Sequence, residues 1–450
     1  MLQKGQVIGL KIDELNLKGE GKGDLKGYPV FVIGALPGDE VTARIISAKK
    51  EYARAELSSV LNPSSLRVEA KCRVFGLCGG CSLQHLDYRE QLAWKRQVIW
   101  QIFSKYDCLK EVIVHPTLGM GNPWKYRNKI QYPLGKIEGK AFFGLYAKRS
   151  HDLIPLEKCF IQSGIADEIS QFILRRLGKY KLTTYEEETG KGLLRHIFIR
   201  VGQHTGEVMV VLVTTEKIDS LKGLAEEVRE KFPQVVSFQQ NINPSKGNVI
   251  LGKETYLISG KESITDYIGG LAFKISPRSF FQVNPIQTEV LYRKALEYAG
   301  LSGKETVIDA YCGIGTISLF LARKAKQVIG IEVVKEAIEN ARENARLNGI
   351  KNVEFIVGDV TELIPQLYKQ GVHPQVVVVD PPRKGCTEEV LKTFALMKPE
   401  RIVYVSCNPV TLARDLAYLN DWGYKAVEAQ PVDMFPQTVH VECVVLMSRL

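Results

Sequence analysis

From Glu305 onward, short apolar runs recur at regular intervals and are separated by amphipathic stretches. Residues 306–309, 327–332, 353–357, 376–380 and 401–406 read as buried strands, and 316–324 and 335–348 as helices between them. Strands that alternate with helices of this length predict an α/β fold with a doubly wound parallel sheet. The first 60 residues carry a different pattern. Strands are predicted at 6–12, 28–32, 39–47 and 53–60, with turns at Gly21-Lys22-Gly23 and Leu36-Pro37-Gly38. That spacing predicts a small OB-like β-barrel, and Asn62-Pro63-Ser64-Ser65 reads as a linker. Between the two patterns lies a helix at 88–104, then an α+β region with a strand at 206–214 and a helix at 218–231. Three domains are therefore expected, at 1–62, 63–265 and 266–450.

Composition sharpens this outline. The chain has 450 residues, 45% of them hydrophobic, which excludes a disordered protein. No apolar run approaches the roughly 20 residues of a membrane span, and Met1-Leu2-Gln3-Lys4-Gly5 does not open a signal peptide. A cytoplasmic, monomeric protein is expected. Nine cysteines at irregular spacing argue for metal binding or catalysis rather than a disulfide framework. The net charge of +10 divides unevenly: +1 over 1–62, +8 over 63–160, +1 over 161–265 and zero over 266–450. A surplus concentrated in one block suggests a polyanionic partner. Within it, Trp124-Lys125-Tyr126-Arg127-Asn128-Lys129 interleaves aromatic and cationic side chains, the pattern of an RNA-contact segment.

Three motifs carry chemistry. Val403-Tyr404-Val405-Ser406-Cys407-Asn408-Pro409 is a strand that ends on a cysteine, with Asn408 suited to cap a helix and Pro409 to begin it. Helix-terminal amides beside Cys407 are expected to lower its thiol pKa from about 8.5 and favour a nucleophilic thiolate. Asp309-Ala310-Tyr311-Cys312-Gly313-Ile314-Gly315-Thr316 follows the first strand and opens a helix, and Glu332 ends the second strand, where a carboxylate can accept from ribose hydroxyls. A dinucleotide dehydrogenase shares these features, but position 318, where its third glycine would fall, is Ser. Asp359 and Asp380-Pro381-Pro382-Arg383 fall at later strand ends, where open α/β sheets bind ligands, and the two prolines hold the Asp380 loop extended.

Together with Ser276-Pro277-Arg278-Ser279-Phe280-Phe281-Gln282-Val283-Asn284 and His440-Val441-Glu442, these motifs resemble the RNA (uracil-5-)-methyltransferases, most closely the 23S ribosomal RNA branch. The resemblance spans nearly the whole chain. It implies a class I methyltransferase domain that uses S-adenosyl-L-methionine, with Gln282, Tyr311, Thr316, Glu332, Asp359 and Asp380 around that cofactor. It implies Cys407 as nucleophile, Glu442 as base and a further role for Asp380 beside the base. The N-terminal barrel is similar to the TRAM domain of the ribosomal branch, which implies 23S rRNA as partner. Transfer RNA methylation and a non-catalytic RNA-binding factor are the alternatives.

Uracil C5 is too weak a nucleophile to take a methyl group directly, so the resemblance implies addition of Cys407 to C6, methylation at C5, and removal of the C5 proton by Glu442. Glu442 falls within the apolar run 439–446, where burial raises a carboxyl pKa. The target uridine must be unpaired or flipped out, and Phe280 and Phe281 are candidates to stack on bases, with core packing the competing role for one of them. Cys72, Cys78, Cys81 and Cys159 match the ligands of a [4Fe-4S] cluster in the same branch. Four-cysteine zinc is the rival, although zinc sites usually pair two short Cys-x2-Cys knuckles and only one occurs here. Cys312 and Cys443 read as core residues.

Overall fold

A computed structural model describes residues 2–148 and 150–450. The N-terminal unit is a six-stranded sheet in the order Val7–Lys11, Glu40–Ala48, Ala53–Asn62, Tyr28–Ile33, Gly21–Leu25, Glu14–Leu15. Its inward positions alternate along each strand and bury Ile8, Leu10, Val30, Val32, Val41 and Ala55 in a separate core. The expected turn at Gly21-Lys22-Gly23 is instead the start of a strand. A Cβ on Gly23 would lie 2.3 Å from the Lys11 carbonyl oxygen, and one on Gly21 2.7 Å from that of Ala35. Both glycines serve close backbone packing, which in sequence looks the same as a turn.

The middle of the chain forms a seven-stranded sheet from Leu153–Pro155 at one edge to Glu254–Gly260 at the other, with Leu194–Val201 and Val208–Thr214 buried at its centre. Helices Gly164–Leu174 and Leu221–Lys231 pack their apolar faces on it. A hairpin of Ile264–Ile268 and Leu271–Ile275 leads into the C-terminal sheet.

That sheet has eight strands, in the order Val353–Val357, Gln327–Glu332, Thr306–Ala310, Val376–Val379, Arg401–Ser406, Glu442–Arg449, Tyr424–Val432 and Ile113–Val114. The first five run parallel, and Glu442–Arg449 enters antiparallel to Arg401–Ser406. Strand order reverses between Thr306–Ala310 and Val376–Val379, which opens a crevice at their carboxyl ends. The edge strand Ile113–Val114 comes from far upstream, as does helix Tyr88–Phe103, whose Trp94, Val98, Ile99 and Ile102 share one core with Leu412, Leu416 and Leu419. The segment that the sequence pattern places in the central domain thus builds part of the C-terminal core. Among the described residues no helix is long and apolar enough to cross a membrane.

Candidate active site

Sheet register brings the reactive side chains together. Ser406 pairs with Cys443 in the antiparallel ladder, so one step further Cys407 stands across from Glu442. Val379 pairs with Tyr404 on the other side, which sets Asp380 at the end of the adjacent strand. Cys407, Glu442 and Asp380 line one cavity of about 810 Å³, together with Gln282, Tyr311, Glu332 and Asp359. Three neighbouring strand ends therefore supply a thiol and two carboxyls to the same space.

Asn408 performs two tasks beside the thiol. Its Oδ1 accepts from the Val410 amide at 3.2 Å, the cap expected from the sequence, while its Nδ2 donates to the Arg383 carbonyl at 2.8 Å. The Thr411 hydroxyl donates to the same carbonyl at 3.2 Å. The start of the helix Pro409–Asp421 thereby fixes the Asp380-Pro381-Pro382-Arg383 loop over Cys407.

The electrostatics correct one expectation. The Cys407 thiol is pushed up from its ordinary value by burial and by the Glu442 and Asp380 carboxylates, with Arg383 pulling the other way. A short turn of helix dipole does not outweigh two carboxyl groups in a desolvated cavity. Burial raises both Glu442 and Asp380, and the Asp380 charge raises Glu442 further, so the pair retains a proton more readily than isolated carboxyls.

The far end of the cavity is built by the first two strand ends. Glu332 accepts from the Gly313 amide at 3.2 Å and from the Val334 amide at 2.9 Å, which orients its carboxylate and leaves lone pairs for hydroxyl donors. Asp359 caps helix Val360–Lys369 by accepting from the Thr361 amide at 2.8 Å. Val333 is exposed beside them and adds an apolar surface. Thr316 does not line the cavity: its hydroxyl meets that of Tyr292 at 2.9 Å, directed into the fold.

Phe280 is 65% exposed at the cavity mouth, whereas Phe281 is buried in the core. The loop that carries them hangs on Arg200, a buried guanidinium that donates to the carbonyls of Pro277 and Ser279. Of the predicted RNA-contact segment, Lys125 is exposed, and Trp124 and Arg127 are half-buried. Tyr126 departs from its expected role: it is buried, and its hydroxyl donates to the Pro436 carbonyl at 3.0 Å, so its ring is closed to RNA. Lys129 sits beside Arg200 in the ladder, and burial with the Arg200 and Arg127 charges lowers it to about 8. Sequence reasoning also missed Phe435 as a cavity wall and gave His440 no role, although both line it with ring centroids 6.0 Å apart. Phe435 follows Asp433-Met434 in an irregular stretch with no periodicity to mark it.

The four cysteines Cys72, Cys78, Cys81 and Cys159 converge on one small pocket walled by Phe75, Leu145, Leu156, Phe160 and Ile161. Burial pushes the Cys81 thiol up to about 11 and that of Cys159 up to about 12. Among the described residues, no group of three or more His, Cys, Asp or Glu side chains is close enough to hold a metal ion. The four thiols in this apolar pocket make an all-sulfur donor set, the chemistry that both iron–sulfur clusters and four-cysteine zinc use.

The family model described as tRNA (Uracil-5-)-methyltransferase matches residues 87–450, and that of the TRAM domain matches residues 2–58. The chain belongs to the tRNA (uracil-5-)-methyltransferase family. It is 51% identical over 450 residues to an uncharacterized RNA methyltransferase of Bacillus cereus, covering 100% of this chain and 98% of that one. An uncharacterized RNA methyltransferase of Clostridium tetani is 50% identical over 448 residues, covering 99% and 97%. Among solved structures, the Pyrococcus abyssi tRNA (uracil-54, C5)-methyltransferase in complex with S-adenosyl-L-homocysteine superposes with a TM-score of 0.78 at 31% identity, covering 98% of this chain and 99% of that one. The fold is thus a class I S-adenosylmethionine-dependent methyltransferase fold with an N-terminal TRAM domain. Glu332, Asp359 and Gly313 line the end of the cavity at the carboxyl ends of the first parallel strands.

Proposed function

We propose that this protein methylates carbon 5 of a uridine in 23S ribosomal RNA, with Cys407 as nucleophile and Glu442 as base. The observation that carries the chemistry is the ladder that sets Cys407 opposite Glu442 in one cavity. S-adenosylmethionine, when bound, supplies an electrophilic methyl group. Glu332 would accept from its ribose hydroxyls, and Asp359, Tyr311, Gln282 and Asp380, which line the same cavity, would hold it.

The Cys407 thiolate forms a bond to C6 of the uracil, and the C5–C6 electron pair moves into an enolate. Carbon 5 then takes the methyl group as the methyl–sulfur bond breaks, its electron pair staying on sulfur. Glu442 removes the C5 proton, the C5–C6 double bond re-forms and the thiolate departs. A base with a raised pKa suits the last step, since the carboxylate is a stronger proton acceptor than an exposed glutamate. When S-adenosylmethionine is bound in this cavity, its positive charge would offset the carboxylate repulsion that disfavours the Cys407 thiolate in the free protein.

RNA approaches over a cationic rim. Phe280 at the mouth is placed to stack on a base, and Lys125, Arg127 and Lys129, with Trp124, form the adjoining surface. The N-terminal TRAM domain and the four-cysteine pocket, read as holding a [4Fe-4S] cluster, resemble the ribosomal branch and favour 23S rRNA. The cluster's role in this reading is architectural: it ties the segment around Cys81 to the chain after Cys159. The division into 1–62, 63–265 and 266–450 is part of the same reading. Transfer RNA is the second reading, favoured by the Pyrococcus abyssi protein, whose description names tRNA uracil-54.

The test is methyl transfer from labelled S-adenosylmethionine to unmodified 23S rRNA and to unmodified tRNA, with the product located by mapping 5-methyluridine. Label in rRNA alone supports the proposal. Label in tRNA alone transfers the function to the second reading, and label in neither overturns both.

A further inference from the structure

The cavity wall formed by Phe435 belongs to an irregular strap, residues 433–437, that follows strand Tyr424–Val432 and leads on to His440 and Glu442. Irregular backbone inside a fold must find partners for its polar groups, and here all five successive carbonyls have one. Asp433 O accepts from Gln287 Nε2 at 3.2 Å, and Met434 O from Asn284 Nδ2 at 3.0 Å. Phe435 O accepts from Lys95 Nζ at 3.2 Å, and Pro436 O from the Tyr126 hydroxyl at 3.0 Å. Gln437 O accepts from the amides of Ser82 and Leu83 at 2.9 and 3.0 Å, the two residues that directly follow Cys81.

Two further clamps come from helix Tyr88–Phe103. Lys95, fully buried, pairs with Asp433 Oδ1 at 2.6 Å, while the Tyr88 hydroxyl donates to Asp433 Oδ2 at 2.9 Å. The Gln91 carboxamide engages Gln437 twice: its Nε2 donates to Oε1 at 3.0 Å, and its Oε1 accepts from the backbone amide at 3.1 Å. Gln437 adopts φ +70°, a conformation an L side chain enters at a cost, so these bonds also hold the turn in a shape the chain would not choose alone. Burying this ion pair costs the desolvation of both charges, and an apolar pair would fill the same space more cheaply. That cost is consistent with a role in placing the strap.

We propose that Lys95 and Gln91 are positioning residues for the target base. They fix the strap so that Phe435 forms a rigid wall for an extruded pyrimidine in the cavity that Cys407 lines. The inference rests on the reading that the cavity accepts a uridine. The side of the cavity near Glu332 and Asp359 is built by other elements, so the two halves are separable.

The test uses the full chain with Lys95→Met and Gln437→Gly. Glycine accepts φ +70° without strain, so the second variant keeps the fold while removing the side-chain clamp. Displacement of the wall by ~1 Å predicts a loss of about 10²-fold in kcat/KM for RNA with Lys95→Met, and a smaller loss in the same direction with Gln437→Gly. Covalent adduct with 5-fluorouridine-substituted RNA should fall in step. The Kd of S-adenosylhomocysteine, measured by calorimetry, should stay within about twofold, which a general loss of structure would not allow. Should Lys95→Met fail to fold, Gln437→Gly decides. Variants that match wild type on RNA, or that lose RNA and S-adenosylhomocysteine affinity equally, overturn the inference alone. A wild-type protein that forms no adduct with uridine-containing RNA overturns the underlying reading and the inference with it.

Discussion

Two thiol environments in this chain start from the same force and end differently. Burial is the largest influence at Cys407 and at Cys81 and Cys159, and in each case it favours the neutral thiol. Around Cys407 the surroundings are charged and open to a cavity: Glu442 and Asp380 oppose the thiolate and Arg383 supports it. Around Cys81 and Cys159 the walls are Leu145, Leu156, Phe160 and Ile161, and neighbouring thiols repel one another when ionised. The first thiol is therefore governed by what enters the cavity, since a bound cation or a reacting base changes its balance. The others ionise together only when a metal centre supplies the missing positive charge. One arrangement suits turnover and the other permanent occupancy.

The sharpest way to break this comparison is to remove the reactive sulfur. Cys407→Ala should lower methyl transfer by more than about 10⁴-fold, as loss of a nucleophile does elsewhere, and abolish the 5-fluorouridine adduct, while S-adenosylhomocysteine binding by calorimetry persists. Adduct formation by the variant would show that some other group attacks the ring. Glu442→Gln separates the steps: bond formation to C6 survives and proton removal does not. Methylation should fall by roughly 10²–10⁴-fold, with a stable protein–RNA adduct on denaturing gels. Normal turnover would dismiss Glu442 as base.

Cys81→Ser addresses the other environment. If the four thiols hold a cluster, anaerobically purified wild type should contain iron and sulfide, and the variant should lose both together. Unfolding should be easier by roughly 3 kcal/mol or more, within the tail that loss of a metal site produces. Stoichiometric zinc in place of iron would assign the pocket to the rival four-cysteine site. A variant as stable as wild type, with neither metal in either protein, would leave the pocket a plain apolar contact.

What the sequence made legible followed from local periodicity and from motifs whose spacing survives folding. The parallel strands 327–332 and 401–406 coincide with those in the structure, because buried parallel strands are near-continuous apolar runs bounded by turn residues. Cys407, Glu442 and Asp380 meet in one cavity, since each sits at a strand end and the sheet itself aligns strand ends. Tertiary features were not legible. Tyr126 has the composition of an RNA contact, yet its partner is a carbonyl 310 positions away. The thiol of Cys407 reads as activated when only its helix is considered, and the opposing carboxylates come from two other strands. The strap that carries Phe435 is bonded to residues 82–95, far upstream in the chain, which no local pattern announces.

The mildest test concerns the cationic rim, where a charge is buried without becoming inert. Lys129 is lowered to about 8 by burial and by the Arg200 and Arg127 charges, so it is protonated in the free protein below that pH and neutral above it. A phosphate at this rim would favour the ammonium, and binding would take up a proton as pH passes above 8. The sign follows directly: RNA affinity should be full below pH 8 and should decline between pH 8 and pH 9, while a lysine with its ordinary pKa of about 10.4 would hold steady over that range. Lys129→Met should weaken RNA binding several-fold at pH 7, flatten this pH dependence, and reduce the slope of log affinity against log salt by about 0.7 for single-stranded RNA. Fluorescence anisotropy with a labelled RNA at several salt concentrations and pH values measures all three. A variant that keeps the wild-type pH dependence would place the titrating group elsewhere and leave Lys129 a structural neighbour of Arg200.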